Sequence, residues 1–462
     1  MLPTHEQRKI IELVKNMPKG SILKINACAG SGKTFTLKQI ALENKKKNFL
    51  YLAFNKKIVD EIKNKFPKNV DIKTIHSLAF SFIKKRFKNI NIIDTYRIFD
   101  IEPFYKNKNS HFLCLLINNF NEFLKINDID MLNTDEDIKF IWDLIINQKL
   151  PISHNFYLKY FSLMQENELN KYDFILLDEA QDTNEVMLNV FLNNNCSKIL
   201  VGDTFQNIYG FNKTINALEI LDTNYECNLS TSFRSTQNIL NYANYFLKKY
   251  SNKNILDMKS SITFKDDLIL ENKAYISRTN AEIIKFISEL MKSKQDLNNY
   301  CLLKNPKDIF SLLFDIISCL AGNYDFISKQ NSFLKKFNSL LEIKKYAENI
   351  LDNELKNALN LLNKNYDFKA IYKVATKLYY NKNAKNFIIN AHLSKGLEWD
   401  CVVLLNDFIG LSEKYHSIKK EKNMIKKENL KKYLEQELNL FYVAITRAKF
   451  KITDMSKNAP EC

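Results

Sequence analysis

Arginine is scarce in this chain: six (Arg8, Arg86, Arg97, Arg234, Arg278 and Arg447) stand among 68 basic residues. Glycine is nearly as thin at eight and proline thinner at seven, which excludes collagen-like and Gly/Pro-rich low-complexity classes. The eight cysteines are scattered, with no C-x-x-C pair and no histidine cluster beside them. That pattern argues against a disulfide framework, a structural zinc and an iron–sulfur site, and for reduced thiols in a cytoplasmic setting. No apolar run approaches the length of a membrane span, and MLPTHEQRK at the start has no apolar signal core.

What is present is a 462-residue chain, 45% hydrophobic and 26% charged, long enough for two or more domains with full cores. A formal charge of +16 fits either a polyanionic partner or a solvated lysine surface. The scarce residues are more telling. Lysine is the default cation here, so arginine marks places needing a planar, always-charged fork. Five of the glycines (Gly30, Gly32, Gly202, Gly210, Gly396) gather in a few short stretches that also hold unusual polar residues.

The first such stretch is Ile22–Thr36, ILKINACAGSGKTFT. A β-prone run leads into a small-residue loop and then a helix-compatible segment, the context a phosphate loop requires. Backbone N–H groups of Ala29, Gly30, Ser31 and Gly32, continuing to Phe35, are placed to cradle phosphates. Lys33 adds a cation, and the Thr34 hydroxyl is a candidate ligand of Mg²⁺. The first position of the strict pattern is Ala27 rather than Gly.

Further strands alternate with helical patterns, which predicts parallel sheets with ligands gathered at the strand C-terminal ends. Phe49–Ala53 ends in Phe54 and Asn55; Val70–Ile75 ends at Thr74 and His76. Each of these reads as a contact residue or as a helix cap or core aromatic. From Ser81 to Lys171 the pattern is helical without glycine, read as an inserted subdomain. Phe174–Leu177 then runs straight into Asp178-Glu179-Ala180-Gln181-Asp182. Two carboxylates at the end of a buried strand need a cation or solvent. With a phosphate loop upstream, Asp178 is expected to hold Mg²⁺ and Glu179 to activate water. Lys198–Val201 leads to Gln206, a candidate γ-phosphate sensor, and to Tyr209 and Phe211, which read equally as base-stacking faces or as core. Gln7 is a candidate adenine reader.

The series ACAGSGKT, FLYLAFNKKI, KTIHSLAF, SFRS (Ser232–Ser235), YISRTNAE (Tyr275–Glu282), NAHLSKGLEWD (Asn390–Asp400) and LFYVAITRAK (Leu440–Lys449) resembles a superfamily 1 helicase of the UvrD/Rep/PcrA type. It is most similar to the F-box DNA helicase branch, without an F-box. The resemblance implies an α/β fold of two RecA-like P-loop domains with parallel sheets, each carrying a mainly helical insertion. The expected boundaries are 1–81 with 170–222, and 223–286 with 384–462, for the two motor domains; 82–169 and a reduced 287–383 are the insertions. It also implies that Gln7 and Phe233 hold adenine, that Arg234 and Arg447 act as arginine fingers, and that Gly396 and Glu398 lie at the nucleotide, Glu398 on the ribose. Phe54, Asn55, Thr74, His76, Tyr209, Phe211, His392 and Trp399 would grip DNA, with Arg278 unassigned.

ATP and Mg²⁺ are the cofactors so implied, and single-stranded DNA and its junctions with duplex the partners. The implied activity is ATP-driven movement on DNA, 3′→5′, in repair or recombination, by a protein that is monomeric alone. Two alternatives stand beside it: a translocase that strips proteins with little unwinding, and a P-loop ATPase subunit of a repair or defence complex. Phe211-Asn212-Lys213, in place of an aromatic–Arg–Gly run, departs from the family pattern. Glu413–Lys432 is lysine-rich and reads as a loop or exposed helix.

Overall fold

The computed structural model describes residues 2–53, 55–106, 108–164, 168–210, 214–263, 269–293, 295–349, 352–364 and 366–459. They divide into two units, Met1–Thr231 and Ser232–Cys462.

The first unit is built on six parallel strands: β1 (Ile22–Ala27), β2 (Phe49–Ala53), β3 (Val70–Thr74), β4 (Phe174–Leu177), β5 (Ser197–Gly202) and β6 (Tyr225–Leu229). Their order is β3-β2-β4-β5-β1-β6, each pairing parallel. Strands β1, β3 and β6 carry half-buried or exposed polar residues such as Lys24, Asp71 and Glu226, whereas β2, β4 and β5 are covered on both faces and buried throughout. The period of two shows instead in which core each side chain enters. Phe49, Tyr51 and Ala53 point into the core with helices α1 (His5–Asn16) and α2 (Lys33–Glu43), while Leu50 and Leu52 point into the other. That second core continues into the insertion, whose helices Ser110–Phe123, Glu136–Ile146 and His154–Met164 contribute Phe120, Trp142, Phe156 and Phe161. Trp142 and Phe156 sit with ring centroids 4.6 Å apart.

The second unit carries five parallel strands: β7 (Lys273–Ser277), β8 (Tyr300–Leu302), β9 (Asn386–Asn390), β10 (Trp399–Leu404) and β11 (Ala448–Asp454), ordered β8-β9-β7-β10-β11. Two parallel sheets in two α/β units are the arrangement expected of paired RecA-like domains. The boundaries differ from those read off the sequence. Strand β6 lies beyond residue 222 yet joins the first sheet, and β8 lies inside the stretch assigned to the second insertion yet joins the second sheet. Helix Phe368–Tyr379 likewise packs its Ile371, Ala375 and Leu378 into that sheet's core. A smaller satellite core, with Leu334, Ile343 and Leu355, belongs to the helices between.

Glu413–Lys432 forms most of a helical hairpin, α3 (Leu411–Lys420) and α4 (Met424–Ile445). Among the described residues no helix is long and apolar enough to cross a membrane.

Candidate nucleotide site and nucleic-acid interface

Strand β1 delivers the chain into a turn at Ala29-Gly30, and α2 begins at Lys33. Gly30 and Gly32 both take left-handed backbone angles, φ 73° and 77°, which a side chain would strain. Gly32 is the N-cap of α2 and supplies no side-chain hydrogen bond, so no capping side chain stands between the helix start and an anion. Ser31 Oγ is buried without a hydrogen-bond partner among the described residues. A buried hydroxyl left unsatisfied beside a helix start with no capping side chain is what a phosphate-binding loop would show. Cys28, at the root of the loop, has its thiol pushed up to about 12 by burial and then by Asp203, so it stays protonated.

Five polar side chains are chained together beside this loop. Lys33 Nζ is 3.3 Å from Glu179 Oε1. The other Glu179 oxygen accepts from Gln181 Nε2 at 2.6 Å, and Gln181 Oε1 accepts from the Asp203 N–H at 3.1 Å. Asp203 in turn accepts from Gln206 Nε2 at 2.8 Å. Gln181, fully buried, therefore joins the end of β4 to the end of β5. Gly202 makes room for it: a Cβ there would lie 2.2 Å from Gln181 Oε1. Glu179 holds φ 52°, a left-handed conformation costing a non-glycine residue about 1–3 kcal/mol, tolerated where the surroundings fix it.

Asp178 is held separately. Its carboxylate accepts from the Tyr51 hydroxyl and from the Glu179 N–H at 2.9 Å. Burial, then the neighbouring Glu179, raises its acid to about 6, with Lys33 working against them. Thr34 also bonds the Tyr51 hydroxyl, so Thr34 and Asp178 meet at one phenol. A hydroxyl and a carboxylate converging this way form a suitable hard-oxygen donor pair for Mg²⁺.

Gln7 lies against the same loop, 1% exposed. Its Oε1 accepts from the Thr4 N–H at 2.9 Å in a capping box, and its Nε2 donates to the Ser31 carbonyl at 3.4 Å. The Thr4–Gln7 spacing carries that box in the sequence.

At the strand ends, Asn55 and Thr74 cap the helices that follow β2 and β3, accepting from Ile58 N and Ser77 N at 3.0 Å each. His76 packs edge-on against Tyr157 and has its imidazole lowered to about 4 by burial and then His154. It shares a small cavity with Asp178, Glu179 and Asp182. Tyr209 is half-buried, its phenol raised by burial and then by Asp182 and Glu179. Phe54 and Phe211 lie outside the described residues.

In the second unit, Arg234 Nε donates to Glu398 Oε2 at 2.8 Å, and Lys449 Nζ is 3.3 Å from the other oxygen. Burial pushes the Glu398 acid up, but Arg234 and then Lys449 bring it below the usual range. Arg447 is 1% exposed; its guanidinium donates to the Val443 and Leu397 carbonyls at 2.9 and 3.3 Å and to Thr446 Oγ1 at 3.1 Å. Phe233 is half-buried next to Arg234, and Gly396 takes φ 86°. Trp399 is buried in β10 with its ring centroid 6.3 Å from that of Phe387.

Arg278 forms a forked ion pair with Glu437, at 2.6 Å from Nη2 and 2.9 Å from Nε. His392, beside Arg278 and Lys304, is lowered to about 4 by burial first and those two cations next.

Tyr51, Gln181 and Asp203 were not singled out from sequence. Tyr51 looks like one more residue of an apolar strand, and Gln181 like a spacer inside an acidic run. Only the glycine at 202, directly after an apolar strand, hinted that something large approaches there.

These features define a P-loop nucleotide-binding protein with two RecA-like domains. An AAA domain model matches residues 8–212, and a UvrD-like helicase C-terminal domain model matches residues 307–458. The chain is 27% identical to F-box DNA helicase 1 of Gallus gallus over 505 positions, covering 96% of this chain and 48% of that protein. It is 28% identical to F-box DNA helicase protein 1 of Schizosaccharomyces pombe over 515 positions, covering 96% and 56%. A probable DNA helicase II homolog of Mycoplasma genitalium is 28% identical over 281 positions, covering 48% and 40%. The two domain models and these relatives together support a UvrD-like superfamily 1 helicase related to the F-box DNA helicases. It spans about half the length of the two F-box relatives.

Proposed function

We propose that the protein is an ATP-driven DNA helicase that moves along single-stranded DNA, 3′→5′, in repair or recombination. The observation that supports this most strongly is the chain of contacts from Lys33 through Glu179, Gln181 and Asp203 to Gln206. It links a phosphate-binding lysine, a candidate base and a candidate γ-phosphate sensor in one unit.

ATP is the substrate on this reading. Its phosphates would be held by the N–H groups of residues 29–35, by Lys33 and by the Ser31 hydroxyl, with Gln7 and Phe233 toward the base. Mg²⁺ would be held by Thr34 and Asp178, and when bound it would neutralise charge on the β- and γ-phosphates. Glu179 orients and deprotonates water, released from Lys33 once that cation turns to phosphate. Arg234 and Arg447 stabilise the transition-state charge, an effect worth about 10³–10⁵ in turnover. Strand-end residues Asn55, Thr74, His76, Tyr209 and His392 contact DNA. His76 and His392, held neutral, do so as uncharged rings. The cavity joining His76 to Asp178 and Glu179 gives a short path by which strand contact could reach the carboxylates.

A second reading, protein displacement with little unwinding, is favoured by one feature. Much of the stretch 287–383 is absorbed into the second sheet and its core, leaving only the small satellite cluster as a separate insertion. ATP hydrolysis measured in parallel with no nucleic acid, single-stranded DNA, duplex DNA and RNA tests the proposal. Stimulation by single-stranded DNA is the expected outcome, and equal turnover in all four would overturn it. Strand displacement assayed beside filament disruption separates the two readings.

A further inference from the structure

The helical hairpin α3–α4 and the end of helix Gln237–Tyr250 enclose a groove of about 390 Å³ that the nucleotide chemistry does not use. Its walls carry Lys253, Lys419, Lys427, Lys431 and Lys432 against two acids, Glu428 and Glu435. Those acids are already engaged. Lys253 pairs with Glu435, and Lys431 lies 3.6 Å from Glu428. Among the described residues Lys427 and Lys432 have no ion-pair partner; Lys432 is exposed and Lys427 half-buried along the groove. The groove therefore carries two cations that no acid among the described residues pairs with.

The aromatic residues decide which polyanion fits. Single-strand sites stack bases on exposed rings. Here Tyr250 is buried and meets Tyr415 edge-on, with centroids 5.5 Å apart, and Lys419 covers the Tyr415 face at 4.4 Å. No ring in the groove is left open as a stacking platform. What remains is a set of long, flexible point charges, suited to phosphates along a backbone rather than to bases. Lys427 and Lys431 stand one helical turn apart, about 6 Å along the axis, so they can follow successive phosphates.

We infer that this groove binds the phosphate backbone of duplex DNA, a contact separate from the single-strand track and independent of the ATP chemistry. It gives the lysine-rich stretch a role in holding the double-stranded arm of a junction.

The test is a charge-reversed variant, Lys427→Glu with Lys432→Glu, beside a control of equal charge, Lys307→Glu with Lys369→Glu, at exposed positions away from the groove. Binding of a blunt duplex and of a duplex with a single-stranded tail is measured across a salt series by fluorescence anisotropy. The groove variant is expected to weaken duplex binding and to lower the log–log salt slope by about two. Its affinity for a short single-stranded oligonucleotide should stay unchanged. An unchanged duplex slope overturns the inference, as does an equal loss in the control, which would make the effect one of net charge. Exposed Met424 and Ile425 sit at the hairpin turn. Loss confined to binding of anionic lipid vesicles, with duplex binding intact, would assign the basic surface to a membrane instead and also overturn it. Should the protein show no DNA-stimulated ATPase while the duplex loss appears, the groove assignment stands and the motor reading falls.

Discussion

Lys33 and Glu179 are paired across the mouth of the phosphate loop, Nζ to Oε1 at 3.3 Å, with the carboxylate's other oxygen on Gln181. The cation required by phosphate and the base required by water thus occupy each other. Glu179→Gln removes the base while its amide oxygen can still accept from Lys33. Turnover is expected to fall about 10²–10⁴-fold with nucleotide binding retained. Lys33→Ala is expected to remove both. Steady-state ATPase beside equilibrium binding of a fluorescent ATP analogue distinguishes the two; wild-type turnover in either variant would count against the site.

Gly202 and Gln181 give a steric prediction. Gly202→Ala places a methyl 2.2 Å from Gln181 Oε1 and 3.1 Å from the Ala180 backbone nitrogen. The amide must leave its place, breaking the link to Glu179 and Asp203. Overpacking of this kind costs about 1–3 kcal/mol. Thermal unfolding should show that loss, and ATPase should fall as far as in Gln181→Ala. Adding Gln181→Ala to Gly202→Ala should recover much of the stability and none of the activity. If the double variant is no more stable than Gly202→Ala, the clash lies elsewhere.

The stretches rich in scarce residues do fall where parallel sheets gather ligands, and that much could be read from order alone. Phe174–Leu177 is apolar enough to be a strand, and the acids after it had to face something. The partners inside the site were harder to see. Tyr51 reaches Asp178 from a neighbouring strand, and Gln181 reaches Asp203 across another loop, so neither role has a local signature. Boundaries failed for a similar reason. Strand β8 has three residues, too few for a period of two to show, and it is recruited by pairing with β9, whose sequence lies far downstream.

Tyr51→Phe isolates the hydroxyl that Asp178 and Thr34 share. Asp178 is buried, and losing a donor to a buried carboxylate costs about 1.5–3 kcal/mol. Chemical denaturation should report a loss of that size, because the ring itself still fills the core beside α2. A change below about 0.5 kcal/mol, the size of an ordinary surface substitution, would show that the hydroxyl carries little of the carboxylate's stabilisation.

Arg278 and Glu437 make a pair whose partial removal should be worse than full replacement. Glu437 is 4% exposed, so Arg278→Ala leaves a buried charge alone, at about 3–5 kcal/mol. Arg278→Met with Glu437→Leu should be markedly more stable than Arg278→Ala alone, by the same principle. Urea denaturation of the three proteins checks the order. Equal losses in the single and double variants would mean the two side chains do not depend on each other.

His392 fixes the sign of one pH effect. Burial, Arg278 and Lys304 hold its imidazole at about 4 in the folded protein, whereas the unfolded chain titrates at about 6.5. Glu437 on α4, Asp407 at the turn after β10 and Glu354 on helix Asn353–Leu362 surround the same cluster through Arg278 and its neighbours, without reversing that shift. Between those values the unfolded state binds a proton that the folded state refuses, so stability rises with pH across that window. The contribution is complete above about 6.5 and is progressively lost as pH falls toward 4. His392→Gln removes the titrating ring, and its melting temperature should decline less than wild type's between pH 6.5 and 4. Identical slopes for the two proteins would show that His392 protonates as readily folded as unfolded, and DNA contact through a neutral ring at that position would then be untenable at mildly acidic pH.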